Sequence, residues 1–116
     1  KTWLNNNLGA EYADATNLNG NFDPFQQATA LSDYKAYGSL FQWGRKADGH
    51  ELIKWTSAST APATKVTDIK SDAPTHSLLI SDSKDPGDWR VNSDDTLWES
   101  EAGPNNVCPA GYRLPT

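Results

Sequence analysis

The sequence predicts a small, loop-rich α+β domain, and three observations lead there. The apolar fraction is only 36% over 116 residues, below the ~45–50% of ordinary globular chains even allowing for the glycine counted in that range. Five Trp, four Tyr and three Phe offset the shortfall, because each such ring buries ~150–250 Å². Helical periodicity is confined to one stretch at about 35–47, with short apolar runs at 2–4 and 78–80. Everything else is dense in Ser, Thr, Asp, Asn and Pro around isolated anchors. So many aromatics exclude a disordered chain. Residues 1–116 read as one domain with a small core.

The elements follow in chain order. Trp3 and Leu4 form a short N-terminal strand over 2–4 that turns at Asn5, Asn6 and Asn7, since Asn tolerates the left-handed region and bonds its own backbone. Residues 13–30 carry Asn19-Gly20 and Asp23-Pro24 and read as a loop, which Phe22 and Phe25 are expected to pin to the core. Ser32-Asp33 supplies an N-cap, and Tyr34, Tyr37, Leu40 and Phe41 recur at helical spacing. Asp48-Gly49 supplies the stop, so a helix is predicted over about 35–47. Gly38 and Gly44 each weaken it by ~1 kcal/mol relative to Ala. Residues 56–106 form a long irregular insertion, in which 78–80 is a short strand. Ordered loops of such length tend to be functional.

Charge narrows the partners. The net charge is −5, and no Lys/Arg cluster exists to neutralise a phosphate backbone, which argues against nucleic acid. No apolar run approaches the ~20 residues of a membrane span. The chain opens on Lys1 and contains no Met, so a processed or excised piece is expected. The acidic, Asn/Asp/Ser/Thr-rich composition fits a bacterial secreted or cell-surface protein. The one cysteine, Cys108, cannot form an internal disulfide.

Three stretches carry a family resemblance. They are the opening Trp3-Leu4-Asn5-Asn6-Asn7-Leu8, the run Tyr37-Gly38-Ser39-Leu40-Phe41-Gln42-Trp43-Gly44-Arg45, and the closing Cys108-Pro109-Ala110-Gly111-Tyr112-Arg113-Leu114-Pro115-Thr116. In order and approximate spacing they resemble the Fibrobacter succinogenes major paralogous domain, while the long middle is unmatched. The resemblance implies a C-type-lectin-like fold, related to formylglycine-generating enzymes and to the variable tip proteins of diversity-generating retroelements. It marks Trp3, Leu8, Tyr37, Gly38, Trp43, Gly44, Arg45, Cys108, Pro109, Gly111, Arg113, Leu114 and Pro115 as structural motif positions.

On that map Thr116 is a helix N-cap with nothing after it, so an N-terminal half truncated at its C-terminal end is expected. A first strand without its partner leaves unpaired backbone groups. A second polypeptide or a homo-oligomer is then expected to complete the fold by strand donation.

Candidate sites were weighed on their chemistry. Between Gln42 and Glu51, one reading has Arg45, Asp48, His50 and Glu51 converging in a site. The other, favoured, places Trp43 in the core, ends the helix at Asp48-Gly49 and pairs Arg45 with a local acid. His50-Glu51 lacks the second His of a zincin, and with His76 and Cys108 it makes no usual zinc set. Cys108 is either half of a disulfide with an absent partner or a buried thiol.

The acidic segment 81–106 is the best functional candidate, with Asp85, Asp88, Trp89, Asp94, Asp95, Trp98 and Glu99 as ligand-binding residues. Their carboxylates are hard oxygen donors, so calcium is a candidate ligand, although the spacing is not an EF-hand. Trp beside carboxylates also suits sugars, although Trp89 and Trp98 serve equally well to pin the loop. Carboxylate pairs for glycoside hydrolysis arise by chance in so acidic a stretch. The expected function is therefore non-enzymatic: an extracellular or cell-surface recognition and adhesion module for a glycan or protein surface. The alternative is a structural subunit of a bacterial surface filament.

Overall fold

A computed structural model of the chain describes residues 1–16, 22–59, 65–81 and 87–115. These form a small mixed fold, dominated by loops, with two short strands and no long helix among the described residues. Among the described residues no helix is long and apolar enough to cross a membrane. The chain groups into two compact units, Lys1–Leu40 with Leu52–Ala63, and Phe41–Glu51 with Thr64–Thr116.

In the first unit, side chains bonded to backbone replace regular structure. Residues 2–4 are not a strand, and Trp3 is 67% exposed. The following Asn residues explain why: they bracket distant loops and do not cap themselves. Asn5 and Asn6 donate from Nδ2 to the carbonyls of Pro24 and Gln26 at 2.7 and 3.0 Å. Asn7 donates to Ala36 and Tyr37 at 3.2 Å. The loop at 23–26 is thus held by these amides and by a tight turn on the Asp23 carboxylate. The expected pinning by Phe25 fails, for that ring is 85% exposed.

The predicted helix over 35–47 is replaced by a single 3-10 turn, Tyr34–Ala36. Gly38 ends it with φ 77°, in the left-handed region that glycine enters without penalty. Here the chain passes against residues 8–10, with Ser39 N–H donating to Leu8 O at 2.8 Å. A Cβ on Gly38 would collide with that same carbonyl oxygen. Gly44, with φ 78°, reverses the chain a second time. Asp33 does occupy the N-cap position, but its side chain makes no cap bond. Its carboxylate instead accepts from Thr29 and from the Tyr12 hydroxyl. The latter bond ties Tyr34–Ala36 to a second 3-10 turn, Glu11–Ala13.

The second unit holds the strands β1 (Val66–Thr67) and β2 (Leu79–Ile80), paired in parallel with Val66 opposite Leu79. The apolar run expected as a strand over 78–80 is therefore a strand at Leu79–Ile80. Gln42 lines the edge of β2 away from β1: its Oε1 accepts from Ile80 N–H at 3.0 Å and its Nε2 donates to Ile80 O at 2.6 Å. An amide side chain thus supplies the bonds of a third strand. The apolar cluster is Ile80, Trp89 and Leu97, all buried. Trp43, expected in the core, is 65% exposed. Its backbone carbonyl accepts from Trp89 Nε1 at 2.7 Å, and its largely exposed ring packs edge-on against Trp98 with centroids 5.1 Å apart.

Candidate functional site

Two features of the described residues concentrate chemistry: a buried polar cluster in the second unit and a cleft in the first. The cluster is built by the tight loop from Gln42 to Glu51. Arg45 is fully buried. Its Nε donates to Asp48 Oδ2 at 2.8 Å, and Nη1 donates to Gln42 Oε1 and Leu78 O, both at 2.8 Å. Nη2 donates to His76 O at 2.9 Å. One guanidinium thus ties its own loop to the residues entering β2, across more than thirty positions of sequence. The planar fork of donors makes this work for Arg and not for Lys.

His50 completes the cluster. Its Nε2 accepts the backbone N–H of Gln42 at 3.0 Å, and its Nδ1 lies 2.7 Å from Asp48 Oδ1 and 3.5 Å from Glu51 Oε2. Nε2 must therefore be bare, which places the ring proton on Nδ1 facing the carboxylates. Burial alone would raise the Asp48 carboxyl, but hydrogen bonds from the His50 side chain and N–H and from Arg45 outweigh it and hold it below the usual range. The backbone N–H of Gly49 donates to Glu51 Oε2. Arg45, Asp48, His50 and Glu51 do converge, contrary to the favoured reading of that stretch, although the local Arg45–Asp48 pair belongs to both readings.

One donor atom from each of Asp48, His50 and Glu51 falls within 4.8 Å of the others, yet the trio does not fit a metal ion. An ion at Nδ1 would displace the ring proton to Nε2, where it would meet the Gln42 N–H head on. The Arg45 guanidinium on Asp48 adds repulsion. The cluster is a hydrogen-bonded lock between segments.

The acidic segment is committed in the same way. Asp88 accepts from the Arg90 N–H and the Ser93 hydroxyl, and Asp94 from the Thr96 N–H and hydroxyl. These bonds hold both carboxyls below their ordinary range. Asp72, outside the predicted set, clasps the segment: its carboxylate accepts from the N–H groups of Asn92 and Val91 and from the Asn92 amide. Trp89 and Trp98 are 5% and 7% exposed, and so pin this loop; neither presents an open ring. The Arg45 and Arg90 guanidinium carbons stand 5.9 and 5.4 Å from the Trp89 centroid. Asp95 and Glu99 remain exposed. Asp85 and Thr116 lie outside the described residues.

The closing motif forms a turn in which Tyr112 N–H donates to Pro109 O at 3.0 Å, with Gly111 at φ 84°. Asn106 braces it, accepting from the Cys108 N–H and donating to Tyr112 O. Burial pushes the Cys108 thiol up, away from nucleophilic character at neutral pH. Pro109, Arg113 and Pro115 are exposed, and Leu114 is half-buried.

The cleft was not anticipated. It is a half-open space of about 350 Å³ in the first unit, lined by Gly9 and Gly38, where the two segments cross, and by Glu11, Tyr34, Ser39, Leu52, Ile53, Lys54 and Trp55. Trp55 is oriented by its Nε1 donating to Gly38 O at 2.9 Å and by the Tyr37 ring packed edge-on at 5.1 Å. The Tyr12–Asp33 bond fixes Glu11 relative to Tyr34. The sequence signal was faint: Lys54-Trp55 follows a short apolar pair, and no spacing links it to Glu11.

Compared with protein families, curated proteins and solved structures, the chain matches none.

Proposed function

We propose that this chain is a non-catalytic recognition and adhesion module of C-type-lectin-like type, acting outside the cell or on a bacterial surface, with a glycan or a protein surface as its ligand. The observation that carries this reading is how the side chains are deployed. Arg45, Asp48, His50 and Glu51 are spent on one another and on backbone, and none of the four lines the cleft. The open space lies elsewhere, lined by aromatic, aliphatic and singly charged groups, as binding pockets are. The resemblance of the Trp3, Tyr37–Arg45 and Cys108–Pro115 motifs to the Fibrobacter succinogenes major paralogous domain supports the same reading.

A glycan array probed with the intact chain tests it, with calcium and with EDTA. Saturable binding to defined glycans is expected. Asp95 and Glu99 are the exposed carboxylates of the predicted set, so loss of signal in EDTA restored by calcium would point to them. Absence of saturable binding to glycans and to surface proteins of neighbouring cells would overturn the reading.

One observation favours the filament-subunit alternative. Leu31, Phe25 and Leu52 are among the most exposed large apolar side chains of the first unit, and Ile69, Val91 and Trp43 of the second. Sedimentation of the purified chain over a concentration series separates the two. Fibres or open-ended association favour the subunit, and a concentration-independent monomer favours the module.

A further inference from the structure

We infer that the cleft of the first unit is a calcium-independent binding site for an uncharged saccharide, of a size to hold a single sugar ring or a short oligosaccharide. The inference deepens the recognition reading and rests on it. Its volume of about 350 Å³ sits at the small end of the ~300–1,000 Å³ of ligand pockets. The class of ligand follows from what the walls offer.

Trp55 and Tyr34 offer aromatic carbon, and Leu52 and Ile53 offer aliphatic carbon. A pyranose presents C–H groups on its faces that pack on such surfaces. Around its rim it presents hydroxyls, each a donor and an acceptor. Glu11 can only accept and Lys54 can only donate, and no hydrogen bond or ion pair within the described residues engages either side chain. A hydroxylated ligand satisfies both at once.

One carboxylate and one ammonium give the cleft no net charge, so neither a simple anion nor a simple cation is favoured over a neutral ligand. A zwitterion is the competing class, which the titration below includes. Nor is a metal needed to engage the hydroxyls, because Glu11 offers an acceptor and Lys54 offers donors in the lining. Rigidity favours the site too. Glu11 and Tyr34 sit on the two 3-10 turns joined by the Tyr12–Asp33 bond, and Trp55 is locked by the Gly38 carbonyl and the Tyr37 ring. The backbone turns and the Trp55 ring are thus preorganised, and the ordering cost on binding falls on the Glu11 and Lys54 side chains.

The test is a titration of the full chain with methyl glucopyranoside, methyl galactopyranoside, methyl mannopyranoside and cellobiose. It is read by NMR shifts of the backbone amides and the Trp indoles, in EDTA. The expected result is a saturable shift at Glu11, Lys54 and the Trp55 indole, insensitive to added salt, because an uncharged ligand is not screened. Glu11→Gln should weaken it about tenfold, the worth of one charge-assisted hydrogen bond, with the rest of the spectrum unchanged. Because Trp55→Ala also deletes a structural bond, Tyr34→Ala serves as the second variant and should weaken binding without moving the Trp55 indole.

Shifts confined to 88–99 would overturn the inference while sparing the recognition reading. So would binding that needs calcium, or a response to glycine and lysine in place of the sugars. Silence at the cleft in every titration would overturn the inference. If the glycan array and the cell-surface proteins also gave no saturable signal, the recognition reading would fall with it.

Discussion

Arg45→Met is the perturbation whose size can be worked most directly. Methionine keeps much of the volume and removes all four donated bonds, to Asp48, Gln42, Leu78 and His76. Taken singly, hydrogen bonds from a charged donor contribute ~1.5–3 kcal/mol. Four of them, summed, would rival the ~5–15 kcal/mol of a whole domain. They share one side chain and cannot be independent, so the better guide is the ~3–5 kcal/mol lost when one partner of a buried ion pair is removed. Arg45 is fully buried, and solvent screening does not reduce that figure.

With a urea slope of ~1–3 kcal/mol/M, the midpoint should fall by at least ~1 M in a melt followed by Trp fluorescence. Arg45→Lys should recover only part of this, because an ammonium cannot reach the Asp48 carboxylate and the His76 and Leu78 carbonyls together. A double-mutant cycle with Asp48→Asn should show strong coupling, on the order of ~1–3 kcal/mol. A midpoint for Arg45→Met within ~0.3 M of the parent, at an unchanged slope, would refute the reasoning.

Three further outcomes follow from the same geometry. Gly38→Ala should destabilise by more than the ~1–2 kcal/mol of a left-handed non-glycine residue, because its Cβ would strike Leu8 O; Gly44→Ala, whose Cβ finds Leu97 Cδ1 at 3.4 Å, should lose only about that amount. Urea melts of the two variants give the ranking. Trp89→Phe should cost ~1–3 kcal/mol by orphaning the Trp43 carbonyl, whereas Trp98→Phe should cost less, since the Trp98 Nε1–H is buried without a partner; the reverse order would sink the comparison. Stability should fall below about pH 4 as the carboxyls take up protons. The carboxyls of Asp48, Asp72, Asp88 and Asp94 are all depressed in the folded state, so the stability they confer is present above the unfolded carboxyl pKa and lost as pH drops through the folded values. Asp48→Asn should make that decline shallower.

What could be read from the sequence differs by residue for physical reasons. The strand at 78–80 was legible because three consecutive aliphatics in a polar stretch have few other uses. The helix over 35–47 was not, although Tyr34, Tyr37 and Phe41 keep helical spacing. Gly38 and Gly44 act there as left-handed turn residues, and a propensity penalty of ~1 kcal/mol each cannot reveal that a carbonyl will press against the missing Cβ. The aromatics misled where a ring packs at the surface: Trp43 contributes its carbonyl and lays a largely exposed indole against Trp98. Convergence of Arg45, Asp48 and His50 was visible as a reading but disfavoured, since the same spacing is ordinary at helix ends. The carbonyls of His76 and Leu78 that draw Arg45 inward leave no mark on residues 42–51. The cleft was hidden for the same reason, as Glu11, Tyr34 and Trp55 meet only through tertiary contact.

The acidic side chains carry a last implication. Asp14, Asp23, Asp48, Asp88 and Asp94 each accept the N–H two positions ahead. Bonds so short in sequence need no partner from afar, so these corners can persist in the denatured ensemble, which such local structure renders more compact than a random coil. Unfolding then exposes less fresh surface than chain length implies, and its denaturant slope should be shallow for 116 residues.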